Sequence, residues 1–381
     1  MITFARSDNS LLSRWWWTVD RWLILALLLL ISAGFLMTFA ASTAVAERLN
    51  LQSLHFVKRQ AMFILAALGI MFGVSLMSER GIRRLAVLLL PVAIGLMVLT
   101  LFIGPDIKGA TRWLSLGSFT IQPSEFLKPV FVVAVGWMFA EEFKNPSFPG
   151  RKIALVVFTI AIALLVMQPD FGQTALLTAT FIAQFILAGL PLMWLGGLAA
   201  VGIGGSIAAY LLVPHVQSRI DRFLDPASGD TYQIDTALNA FRAGGLFGRG
   251  PGEGAVKKVL PDAHTDFIFA VAGEEFGTIA CIAILSVFAV IVIRGLAQLM
   301  EEENPFILLA ASGLLTMFGL QAIINIGVNL ALLPSKGMTL PFISYGGSSL
   351  LALGLAMGMV LALTRKNRSR RRMDFRQRRT L

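Results

Sequence analysis

Apolar runs of about 18–22 residues recur along the whole chain, each long enough to cross a hydrocarbon core of ~30 Å as an α-helix. Lipid offers a spanning backbone no water to bond, so these runs must satisfy their amides internally. Only 14% of the 381 residues are charged, against roughly 25% in soluble domains. The expected fold is an all-α polytopic membrane protein. Its ten spans fall at about 22–42, 57–77, 85–103, 125–142, 153–168, 173–189, 193–213, 267–293, 306–330 and 346–364.

An even number of spans puts both termini on one side. Short segments assigned to the inside hold Arg6, Arg14, Arg21, Arg80, Arg83, Arg84, Lys144, Arg151, Lys152 and Arg294. The outer short loops hold Arg48, Lys108, Arg112 and Lys336, with Lys58 and Arg59 at a helix edge. The positive-inside rule then predicts an N-in, C-in chain. It divides into a cytoplasmic leader (1–21), a membrane domain (22–364) and a basic cytoplasmic tail (365–381). A large extracytoplasmic loop, about 214–266, joins helices 7 and 8. Ala44-Val45-Ala46 imitates a signal-peptidase site, but the apolar run before it exceeds an h-region, so the first span is read as uncleaved.

The formal charge of +10 lies largely in the tail, where topology and anionic membrane lipids account for it without nucleic acid. The single cysteine, Cys281, excludes an intramolecular disulfide. Four irregular loops rich in Pro, Gly and polar side chains share the outer face: 104–124, 168–172, 215–265 and 332–349. The functional face is therefore expected outside.

The candidate residues lie in those loops or at their edges. Asp266 ends the large loop where water meets membrane; it is either the N-cap of the next helix or a base facing a substrate with a polar head and a lipid tail. Glu125 and Lys128, three apart, share a helix face and read as a structural ion pair or a functional one. Arg112 and Trp113 suit a phosphate and a sugar, or an interfacial anchor. Lys336, pinned between prolines, suits a pyrophosphate, with snorkelling to headgroups as the alternative. Glu274 and Glu275 read as partners for an intramembrane cation, while Gly273 and Gly277 allow a close helix approach. The glycine-rich stretch from Gly244 to Gly254 lacks a Walker lysine and reads as a flexible loop that lets backbone amides near a ligand. His264-Thr265-Asp266 is weak evidence for a metal, and no metal site is assigned.

Several stretches together resemble the SEDS family (shape, elongation, division and sporulation). They are Gly109-Ala110-x-Arg112-Trp113-Leu114, Ile121-Gln122-Pro123-Ser124-Glu125-x-x-Lys128, and Gln168-Pro169-Asp170-x-Gly172. Further on come His264-Thr265-Asp266-Phe267-Ile268-Phe269 with Gly273-Glu274-Glu275-x-Gly277, and Pro334-Ser335-Lys336-Gly337 through Ser344-Tyr345-Gly346-Gly347-Ser348-Ser349. The leader Trp15-Trp16-Trp17-Thr18-Val19-Asp20-Arg21, with Leu260-Pro261-Asp262-Ala263-His264, resembles the division branch of alphaproteobacterial type more than the elongation branch.

The resemblance implies a peptidoglycan glycosyltransferase that polymerises lipid II at the outer face of the bacterial inner membrane, at the division septum. It implies Asp266 as the essential aspartate and general base, the charged pair on Glu125 and Lys128, and the loop lysine on Lys336. Substrate-binding candidates are Arg112, Trp113, Lys336, Arg242, Arg249, His264 and Ser344. Glu125, Lys128, Asp170, Glu274 and Glu275 are intramembrane charges of structural or functional weight. The implied partners are a cognate class B penicillin-binding protein (an FtsI-type transpeptidase) and the divisome proteins FtsQ, FtsL, FtsB and FtsN. The sequence requires no cofactor, and leaves room for a divalent cation, Mg or Mn, beside the pyrophosphate. A lipid II flippase, drawing on Asn325 and Asn329 in helix nine, and a non-catalytic divisome scaffold are the rival readings.

Overall fold

The computed structural model describes residues 10–48, 54–106, 110–117, 119–189, 232–334 and 337–365, with isolated positions at 50, 52 and between 193 and 221. The described residues form eleven α-helices: α1 (Leu11–Thr18), α2 (Arg21–Arg48), α3 (His55–Ser75), α4 (Glu79–Ile103), α5 (Pro123–Lys144), α6 (Gly150–Met167), α7 (Phe171–Leu187), α8 (Tyr232–Gly244), α9 (Ile268–Leu299), α10 (Pro305–Asn329) and α11 (Gly347–Leu363). Nine expected spans coincide with α2–α7 and α9–α11. The seventh, about 193–213, lies outside the described residues apart from isolated positions. Six helices are long and apolar enough to cross a membrane by length and composition, and α7 and α11 are shorter apolar helices of 17 residues each.

The structure corrects some boundaries and adds elements. The basic turn expected before residue 85 belongs to α4, because Ser78 caps the helix by accepting from Gly81 N–H at 3.2 Å. Loop 104–124 holds an antiparallel ribbon, β1 (Leu114–Leu116) with β2 (Phe119–Ile121), pairing Ser115 with Thr120. The large loop is not wholly irregular, since it contains α8 and a 3-10 turn, Val256–Lys258.

α5 and α10 form the centre. Residues 127 and 129–136 of α5 are all buried, and the helix packs against α4, α6, α7, α10 and α11. That burial explains how α5 tolerates Glu125 and Lys128, which face protein rather than lipid. Around this centre α11 lies along α3, and α9 runs between α2 and α10. Deep in the bundle Gln184 Nε2 of α7 donates to Val132 O of α5 at 2.9 Å and to Leu309 O of α10 at 3.0 Å, joining three helices.

The two ends of the bundle differ. At one end, α1 lies on α3 with Trp15 Nε1 donating to Ser75 Oγ at 2.8 Å. There Arg365 donates to Met77 O at 2.6 Å, and Arg294 Nε pairs with Asp20 Oδ2 at 2.8 Å. Both ends of the described chain therefore meet at one end of the bundle. Loop 104–124, the turn at 168–170, and the segments 260–267 and 337–346 gather at the other.

Candidate active site

Asp266 is half-buried, one residue before the N-cap of α9. That N-cap is Phe267 and makes no side-chain cap bond, so Asp266 does not cap the helix as one reading of the sequence expected. Asn329 of α10 does the work from outside: its Oδ1 accepts from Ala270 N–H at 3.1 Å. The same amide donates through Nδ2 to Asp266 O at 2.9 Å, and Asn325 Nδ2 donates to the same carbonyl at 3.0 Å. Asn325 also donates to Met338 O at 2.6 Å. Two asparagines one turn apart thus fix the Asp266 backbone and join it to the loop before α11.

Loop 337–346 closes over this point. A Cβ built on Gly337 would stand 3.5 Å from Asp266 Oδ2. Ser344 Oγ donates to Thr265 O at 2.5 Å and accepts from Leu340 N–H at 2.8 Å. Ser344 is 3% exposed, and these bonds tie the loop to the segment before α9. Tyr345 N–H donates to His264 O at 2.9 Å. The rings of Phe56, His264 and Tyr345 form a cluster, with centroids 4.9 Å, 5.4 Å and 5.3 Å apart. Burial pushes the Tyr345 phenol above its ordinary pKa, against the pull of Arg59. His264 therefore packs as part of an aromatic wall beside Asp266.

A second polar chain runs across the same end. Arg112 donates from Nε to Gln168 O at 3.0 Å and from a terminal nitrogen to Pro169 O, and lies 3.8 Å from Asp170 Oδ1. Its donors hold the turn at 168–170. Asp170 caps α7 by accepting from Gln173 N–H at 3.4 Å and accepts from Gln122 Nε2 at 3.3 Å. Burial pushes its carboxyl pKa up, while Arg112 pulls it down. Gln173 Nε2 donates to Glu125 Oε1, whose partner oxygen lies 2.9 Å from Lys128 Nζ. Lys128 then donates to Gln321 Oε1 at 3.1 Å, and Gln321 Nε2 donates to Thr339 O at 3.1 Å. The chain runs from the 168–170 turn to the loop beside Asp266. Glu125 and Lys128 form a buried ion pair inside it. Trp113 is half-buried beside the β1–β2 ribbon.

The large loop packs through α8, where a Cβ on Gly244 would strike the backbone of Gly273 and one on Gly273 would enter the Phe241 ring. Gly277, at φ 78° and ψ 178°, breaks α9 so that residues 245–248 lie against it. Within the glycine-rich stretch, the amides of Arg249 and Gly250 donate to the backbone carbonyls of Glu274 and Glu275 at 3.0 Å, and that of Gly252 meets the Glu275 carboxylate. Glu274 accepts from Val256 N–H at 2.7 Å and Lys257 N–H at 2.9 Å, and Glu275 Oε2 accepts from Gly252 N–H at 3.1 Å. Glu275 Oε1 pairs with Lys257 Nζ, which also donates to Ala40 O of α2 at 2.9 Å. Lys257, buried in the 3-10 turn of the large loop, is the cation that Glu275 meets. Arg242 and Arg249 are exposed, and Arg249 Nε donates to Ala243 O at 3.1 Å. Lys336 and the tail 366–381 lie outside the described residues.

No group of three or more His, Cys, Asp or Glu side chains comes together among the described residues.

Fold and site together define a polytopic helical membrane protein with an aspartate whose backbone carbonyl is held at one end of its bundle by buried amides. The FtsW/RodA/SpoVE family model, described as a cell cycle protein, matches residues 20–369. The chain belongs to this family, the SEDS proteins. It is 50% identical over 364 residues to a probable peptidoglycan glycosyltransferase FtsW of Caulobacter vibrioides, covering 95% of this chain and 93% of that one. It is 36% identical to the protein of the same description from Trichlorobacter lovleyi, over 91% of this chain and 93% of that one. Among solved structures it matches a chain of a peptidoglycan synthase complex that coordinates polymerization and crosslinking. There the TM-score is 0.73 at 26% identity, covering 91% of this chain and 97% of that one. The rod shape determining protein RodA of Thermus thermophilus matches with a TM-score of 0.66 at 25% identity, covering 92% and 97%.

Proposed function

We propose that this chain is a peptidoglycan glycosyltransferase that polymerises lipid II at the outer face of the bacterial inner membrane during septal wall synthesis, with Asp266 as general base. Relatives described as FtsW glycosyltransferases, 50% and 36% identical across almost the whole chain, support the reaction. The observation that carries the base is the double amide clamp on the Asp266 carbonyl, with Gly337 beside its carboxylate.

Asp266 accepts the proton of the 4-hydroxyl of the acceptor GlcNAc. That oxygen bonds to C1 of the donor MurNAc as the bond to undecaprenyl pyrophosphate breaks, and the electron pair leaves with the pyrophosphate. The exposed guanidiniums of Arg242 and Arg249, and Lys336, supply positive charge toward the leaving group. The donor is already activated, so the reaction needs no cofactor.

The end bearing Asp266 faces outward in this reading, with N and C termini inside, as the short-loop lysines and arginines require. A class B penicillin-binding protein of FtsI type is the partner, in keeping with the synthase complex among the structural neighbours. FtsQ, FtsL, FtsB and FtsN at the septum, and anionic lipid for the tail, complete the setting. The test is purified protein with its transpeptidase partner, offered labelled lipid II in detergent, where flipping has no meaning. Glycan polymer is expected; its absence from the complete complex contradicts the enzyme.

A further inference from the structure

α10 is apolar along most of its length, yet it carries two buried asparagines one turn apart, Asn325 at 1% exposure and Asn329 at 0%. A buried amide is retained at a cost unless its hydrogen bonds are met. Here the bonds are met in one direction. Asn325 Nδ2 joins Asp266 O at 3.0 Å to Met338 O at 2.6 Å. Asn329 joins Asp266 O at 2.9 Å to Ala270 N–H at 3.1 Å, and its Nδ2 also meets Asn325 O at 2.9 Å. One carbonyl therefore takes two side-chain donors, and the two amides tie it to the first turn of α9 and to the loop before α11. No bond of this set reaches a path through the bundle.

We propose that Asn325 and Asn329 are positioning residues for the glycosyl transfer, setting where the Asp266 carboxylate stands relative to loop 337–346. The inference rests on the reading of Asp266 as the base. If it holds, loosening the clamp displaces the base without altering how lipid II is held, so the loss falls on kcat and leaves KM in place. A displacement near 1 Å costs on the order of 100-fold in rate, and a tenfold to hundredfold fall in kcat is expected.

The experiment uses the complex with the transpeptidase partner and compares Asn325→Ala, Asn329→Asp, Asp266→Asn and Ser312→Ala. Asn329→Asp keeps the acceptor for Ala270 N–H and removes the donors. Ser312 bonds only carbonyls of its own helix, so Ser312→Ala reports a purely structural loss from α10. Polymerisation kinetics and the Tm of each assembled complex are measured. A fall in kcat at unchanged KM for Asn325→Ala or Asn329→Asp, with Ser312→Ala at the wild-type rate, supports the inference; where one variant fails to assemble, the other decides. Wild-type kcat in both, with Asp266→Asn inactive, overturns the positioning role and leaves the base standing. Failure of both to assemble makes the asparagines packing residues and also overturns it. If Asp266→Asn itself polymerises, the base reading fails first.

Discussion

At the scale of single residues, buried charges hold the structure together in pairs. Lys257 and Glu275 are 3% and 0% exposed as side chains, and the lysine also reaches Ala40 of α2. Removing one partner strands a charge away from water, at roughly 3–5 kcal/mol. Lys257→Met should therefore lower the Tm of the purified protein sharply, and the double change Lys257→Met with Glu275→Gln should recover part of the loss. Equal Tm values for the single and double variants would contradict the pairing. Asp266, Glu125, Lys128 and the glutamates were legible in the sequence, since a charge beside an apolar run stands out. Lys257 was not, because its partners sit 17 and 18 residues downstream and in another helix. The asparagines drew notice only as polar residues, because the carbonyl they hold lies 59 and 63 residues away.

At the scale of elements, nine spans could be read from apolar run length alone; α4 begins earlier, at the polar turn that Ser78 caps, and α2 and α9 run on past their expected C-terminal ends to Arg48 and Leu299. The short elements escaped notice. α8 has 13 residues and each strand of the β1–β2 ribbon three, so neither presents a long apolar run. The break in α9 belongs to this scale too. Gly277 sits at φ 78° with the backbone of Leu246 and Gly248 where a Cβ would stand. Gly277→Ala meets both strain and collision, and should abolish assembly of the loop on α9, read as loss of folded protein in detergent. Gly69→Ala, on α3 with open space around it, should be neutral or stabilising by up to ~1 kcal/mol. Equal yields and Tm values for the two variants would contradict the account of the kink.

At the scale of the whole molecule, the polar groups gather at one end while both ends of the described chain meet at the other. The Lys and Arg distribution assigns the site end to the outside. In a Cys281→Ser background, Glu253→Cys should react with a membrane-impermeant maleimide added to intact cells with a permeabilised outer membrane. Lys144→Cys should react only after the inner membrane is broken. The reverse pattern would invert the topology and remove the substrate from the site. The central claim is that the Asp266 carboxylate takes the proton of the attacking hydroxyl. It is tested most directly by Asp266→Asn in the complex with the transpeptidase partner, assayed for polymer from labelled lipid II. The account predicts a complex that assembles with wild-type Tm and makes no glycan; polymer at the wild-type rate would contradict it.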